Sequence, residues 1–338
     1  MDQMELENPK IITRKLTTLW AFSEVAFGGL LHALKIPLTG LFIGGAAIIF
    51  ISMIFYFSES KREIIKATFI VVIIKAMISP HVPIFAHLAV LIQGLLGYFI
   101  LSKKHFNLGI YLLAFISMIF SAFQMVFTLT LVLGNTFWDS INLFGKYVLS
   151  LFQISSVFLD HYLFIIIIGI YFYLHILGAV VTGYIAVRIP DWITNNVNIL
   201  DLPPIATQPS DALILNPSKK KSIVKSFKIF LFVFFVFMLL ISYSNKEYFS
   251  DILIMFIRAI LIIIIWYFFL SPNVYKLFNR LLNKQKNENS EEVKKVLEFL
   301  PEMKIIAQYS WKYSKEQKGL RKLKQFILNI SYYLMIEQ

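Results

Sequence analysis

Trp20–Ile54, WAFSEVAFGGLLHALKIPLTGLFIGGAAIIFISMI, reads as two apolar segments joined by a polar elbow, Leu34-Lys35-Ile36-Pro37-Leu38-Thr39-Gly40. The first segment carries Glu24, the adjacent Gly28 and Gly29, and His32, groups that contact with lipid alone does not explain. Charged and hydrogen-bonding side chains inside a membrane segment are costly, and they face a cavity, a partner helix or a solute path. The hairpin therefore predicts membrane-inserted helices and gives the first pointer to function.

The rest of the chain extends that reading. Of 338 residues 58% are hydrophobic, against roughly 45–50% in soluble domains, and the mean hydropathy is +0.70. Long runs rich in Phe, Ile and Leu suit spanning helices of about 20 residues, and the alternating strands of a barrel are not seen. Asp2, Glu5, Glu7, Lys10, Arg14 and Lys15 make the first 16 residues unlike a signal peptide, so this segment is expected to stay in the mature protein. The absence of cysteine removes disulfides, thiolate nucleophiles and cysteine metal sites. A net charge of +12 fits basic loops on the cytoplasmic face better than nucleic acid binding.

Spans are predicted near residues 17–34, 39–58, 64–79, 84–101, 108–133, 160–186, 226–243 and 249–270. With both ends placed inside, only Lys35, Lys75, Lys146, Lys246 and Arg258 of the 32 basic residues fall in or beyond the membrane, as the positive-inside rule requires. The predicted fold is thus all-α and polytopic. Residues 1–187 form a six-helix membrane unit that binds solute, and residues 188–222 a Pro-, Asn- and Ser-rich cytoplasmic linker. Residues 223–271 form two more transmembrane helices, and 272–338 a cytoplasmic amphipathic helical tail. In the tail, Ser290 precedes Glu291 and Glu292 as an N-cap, Pro301 and Gly319 punctuate the helices, and Leu320, Leu323, Ile327, Ile330 and Leu334 share one face. That face suits intramolecular packing, the inner leaflet or a partner's groove.

Motifs exclude more than they assign. No P-loop, H-E-x-x-H, dinucleotide fingerprint or G-x-S-x-G is present, so the chain is read as non-enzymatic, without cofactor or metal. The six histidines form no i, i+4 pair. In the predicted topology, however, polar groups gather on the outer side: His32, Lys35, Lys75, His81, His87 and Gln93 near helix ends, and Trp138, Asp139 and Asn142 in the loop after the fifth span. Basic and amide side chains so placed suit an outward pocket for a small solute, an anion by the sign of the lysines. Snorkelling lysines and helix-capping histidines are the bland reading of each residue alone.

Gly29 and Ala33 form a small-x-x-x-small step suited to close helix contact. Together with Leu34-Lys35-Ile36-Pro37-Leu38, a glycine-rich second helix, Ser79-Pro80-His81-Val82-Pro83 and Gln93-Gly94-Leu95-Leu96-Gly97, this pattern resembles the S components of energy-coupling factor vitamin transporters over residues 17–187. The resemblance implies a bacterial inner membrane protein that captures a micronutrient from outside and works with a transmembrane subunit and ATPase subunits. It also implies a partner contact at Gly29 and Ala33. Residues 188–338 have no counterpart in that family. Two other readings stand beside it: a membrane-embedded enzyme for a lipid or isoprenoid, with Glu24, His32, His87 or His175 as acid and base, and an assembly protein acting through its tail.

Overall fold

The structure is a computed structural model and describes residues 8–28, 31, 38–79, 84–153, 157–196, 249–265 and 289–335, with single positions at 202, 273 and 276. Among the described residues 92% are helical and none lies in a strand. The helices are α1 (Pro9–Phe22), α2 (Thr39–Ser58), α3 (Lys61–Ile78), α4 (Ile84–Ile100), α5 (Phe106–Leu133), α6 (Asn135–Leu151), α7 (Val157–Asn196), α8 (Phe249–Ile264), α9 (Asn289–Tyr313) and α10 (Gly319–Met335). The chain divides into two units. The first comprises Met1–Met125, Gly169–Gln208 and Phe269–Gln338, and the second Val126–Ile168 and Pro209–Phe268.

Among the described residues three helices are long and apolar enough to cross a membrane: Thr39–Ser58, Phe106–Leu133 and Tyr162–Asn196, with Phe85–Ile100 apolar but shorter. Three of the eight predicted spans are thus matched by helices long and apolar enough to cross a membrane, while residues 226–243 and parts of 17–34 and 249–270 lie outside the described residues. α1 differs from the predicted first span because it begins at Pro9, where proline at the first position and the Asn8 side chain, accepting from the Lys10 N–H at 3.0 Å, start a helix. Lys10, Arg14 and Lys15 are thus part of the helix rather than a flank. α3 carries Lys61, Arg62, Glu63, Lys66 and Lys75, too many charges for an apolar span.

Residues 135–151, predicted as an outer loop, form α6. Gly134, at φ +76°, ends α5 in a conformation that favours glycine, and α6 then packs within the second unit. The Leu163 side chain fills the place a Cβ on Gly145 would occupy. The predicted linker also starts later than Arg188, since α7 continues to Asn196 with Pro190 inside it.

In the first unit, α1 packs on α2, α3 and α9, and α3 lies along α4. Gly94 permits that last approach, because a Cβ there would meet the Thr68 hydroxyl at 2.0 Å. The fully enclosed side chains include Leu16, Trp20, Ile48, Ile51, Ile54, Ile64, Ile74, Leu113 and Met118.

The tail closes on this core. α9 buries Val293, Val296, Leu300, Met303 and Ile306, spaced by three or four residues on one face, and continues through Pro301 instead of breaking there. α10 buries Leu328, Tyr332, Tyr333, Leu334 and Met335, whereas Leu323 of the predicted stripe is 40% exposed. Ile327 and Ile330 of that stripe pack against the core, and polar bonds add to the contact: Asn329 donates to the Ser310 carbonyl at 3.2 Å and accepts from Gln325 at 2.9 Å. Lys322 covers the Trp311 ring at 4.0 Å. Burial, followed by the neighbouring Tyr313, Tyr332 and Tyr309, pushes the Tyr333 hydroxyl up to about 12.

Candidate functional site

The charged centre of the first unit is a buried ion pair. α1 passes into a π-helical turn, Ser23–Phe27, in which the Gly28 N–H reaches back five residues to the Ser23 carbonyl. Such turns insert one residue into the helical phase and recur at functional sites. This one carries Glu24, whose carboxylate accepts from Lys75 Nζ at 2.8 Å and from Trp20 Nε1 at 3.4 Å. Lys75 also donates to the Ala86 carbonyl at 3.1 Å. The side chains are 1% and 8% exposed. Removing charges from water is unfavourable unless they are paired and hydrogen-bonded, and both conditions are met here.

This pairing corrects the predicted placement of Lys75, which is not on an open rim. Once α1 begins at Pro9, Glu24 stands about four turns along α1, as Lys75 stands about four turns along α3 from Lys61, so the two reach the same level. His87 follows Ala86 on α4 and is 8% exposed; Gln93, further along the same helix, is 4% exposed.

Gln93 belongs to a second, uncharged group around α2. A Cβ on Gly44 would stand 3.0 Å from Gln93 Nε2, one on Gly45 3.0 Å from Thr182 Oγ1, and one on Gly40 2.6 Å from Ser121 Oγ. Polar side chains of α4, α5 and α7 thus converge on the bare glycine face of α2. His175 and Ser117 lie on the buried faces of α7 and α5, 0% and 1% exposed. His175 Nδ1 meets the Tyr171 carbonyl at 2.9 Å.

The other predicted pocket residues separate. Trp138, Asp139 and Asn142 belong to the second unit, where Trp138 Nε1–H donates to Thr130 Oγ1 at 3.0 Å, Asn142 accepts the Phe164 N–H at 3.0 Å and Asp139 is exposed. His32, Lys35, His81, Gly29 and Ala33 lie outside the described residues. Glu24 and His175, two of the four acid-base candidates of the enzyme reading, have different hydrogen-bond partners. Among the described residues no group of three His, Asp or Glu could hold a metal.

At the far end of α1 from Glu24, a cavity of about 730 Å³ is lined by Lys10, Arg14, Ser60, Glu63, Lys66 and Glu292, among others. Arg14 grips Glu292 with two bonds of 3.1 Å. Burial raises the Glu292 carboxyl, but the Arg14 hydrogen bond and then the charges of Lys66, Arg14 and Lys295 outweigh it and hold the group below its usual range.

Sequence reasoning missed the Glu24–Lys75 partnership and the roles of Ser117, His175 and Thr182. The signals were present as a Pro9 helix start and as the spacing of His175, Ala179, Thr182 and Ala186 on one face.

The chain matches no protein-family model, no curated protein and no solved structure. Fold and site define a class: a chain whose described residues are all-α, with three helices among them long and apolar enough to cross a bilayer, and a sealed ion pair in the helical core.

Proposed function

We propose that this chain is a membrane transport protein whose first unit captures a small solute, in the manner of the S components it resembles, for uptake powered by separate ATPase subunits. The observation that carries the reading is the Glu24–Lys75 pair, whose side chains are only 1% and 8% exposed in the helical core of that unit. Well-packed apolar residues of similar volume serve stability as well as a buried pair does or better, so a pair retained in such a setting favours a working role. α1 and α3, which bring the pair together, both pack on α2, a helix long and apolar enough to cross a membrane, and ionisable groups enclosed at membrane segments mark solute and ion paths. The π-helical turn at Ser23–Phe27 supports the same role, because such turns recur at functional sites.

The test uses the full-length protein in nanodiscs, incubated with the polar small-molecule extract of its expression host, washed and denatured. Released molecules are identified by mass spectrometry. The wild type is expected to release a bound small molecule, and Lys75→Met to lose about tenfold or more of it. A wild type that releases nothing would contradict the transport reading.

A further inference from the structure

The uncharged group around α2 has a property the ion pair lacks: it is not saturated. The buried side-chain atoms of the described residues that have no hydrogen-bond partner include Ser310 Oγ in the tail and, in this group, His175 Nε2 and Ser117 Oγ, whose side chains are 0% and 1% exposed. Buried polar groups are almost always paired, and an unpaired one marks a missing partner.

The chemistry of that partner follows from the histidine. The Tyr171 carbonyl can only accept, so the nitrogen facing it, Nδ1 at 2.9 Å, carries the proton. A neutral imidazole then presents Nε2 as a bare acceptor. The missing group must donate. Ser117 can donate or accept, as can the Ser121 and Thr182 hydroxyls and the Gln93 amide that approach Gly40, Gly45 and Gly44. None of these five side chains carries a charge, and the buried charges Glu24 and Lys75 are engaged with each other. A carboxylate or ammonium among them would be desolvated without a counter-charge.

We infer that the glycine face of α2, with His175, Ser117, Gln93 and Thr182 around it, is the solute site, and that it takes a neutral small molecule bearing a hydroxyl or amide N–H rather than an anion. The inference rests on the transport reading and specifies its substrate class. The donor hydrogen of the solute bonds to His175 Nε2. Glycines at positions 40, 44 and 45 let the Ser121, Gln93 and Thr182 side chains close in on the α2 backbone, so these polar groups line the site.

The experiment extends the release assay to His175→Phe, His175→Gln and Ser117→Ala, all in the full-length chain, with Lys75→Met in parallel. Ser117→Ala removes one hydroxyl with little change in shape, so the test stands even where His175→Phe does not fold. The released molecule is expected to be uncharged at neutral pH and to carry a hydroxyl or amide. Its amount should fall about tenfold in Ser117→Ala and His175→Phe, the affinity equivalent of one unmade buried hydrogen bond. A charged released molecule overturns the inference, as does release that falls in Lys75→Met but is unchanged in the folded His175 and Ser117 variants; the transport reading survives both. A wild type that releases nothing overturns both readings together.

Discussion

Helix α1 is held by two ion pairs in opposite surroundings. Near its start, Arg14 grips Glu292 of α9 beside a polar cavity, with side chains 25% and 19% exposed. About three turns further on, Glu24 meets Lys75 with side chains 1% and 8% exposed. The outer members of such a series are screened by water and contribute little, whereas a buried charge is tolerated only while its partner remains. The same interaction therefore acts as a tether at one end of the helix and as a mutual requirement at the other.

The largest effect is expected from breaking the buried pair on one side. Lys75→Met leaves the Glu24 carboxylate enclosed without a counter-charge and should lower stability by about 3–5 kcal/mol, read from the unfolding midpoint in detergent. Arg14→Ala should cost about 1 kcal/mol, and the loss should shrink in 1 M salt, where the screening length is about 3 Å. A loss as large as that of Lys75→Met would erase the contrast between the two ends.

Acid sharpens the comparison further. The Glu292 carboxyl is held below its usual range by Arg14, Lys66 and Lys295 acting against burial. A depressed carboxyl binds its proton more readily in the unfolded chain, so its contribution is complete above the ordinary carboxylate range and is lost as pH falls through the native value. Glu292→Gln should remove that part of the acid sensitivity; an unchanged profile in the variant would show that the tether does not titrate as described. The smallest effect is expected at Glu59, paired with Lys103 where the side chains are 68% and 62% exposed: Glu59→Gln should change stability by less than about 0.5 kcal/mol in the same assay.

The contrast also explains which features were legible in the sequence. α2 and α5 coincide closely with the predicted spans at 39–58 and 108–133, because uninterrupted apolar runs fix position and length together. α1 was misplaced because Lys10, Arg14 and Lys15 read as a cytoplasmic flank. Helix and flank look alike until Glu292 supplies a partner from 278 residues away. α6 read as a loop because Asn135, Asp139 and Asn142 are polar, and its helix is supported by the fit of Leu163 against Gly145, a tertiary contact. The glycine-face site needed knowledge of which side of α7 meets α2. Spacing put His175 and Thr182 on one face but could not say what lay opposite.

The most direct test of the account replaces both members of the buried pair at once. Glu24→Met with Lys75→Met removes two charges and leaves apolar volume, so stability should return close to that of the wild type. If the pair works in transport, this folded double variant should still release about tenfold less of the small molecule that the wild type retains. Wild-type retention by the stable double variant would show that Glu24 and Lys75 serve packing alone and would contradict the central claim.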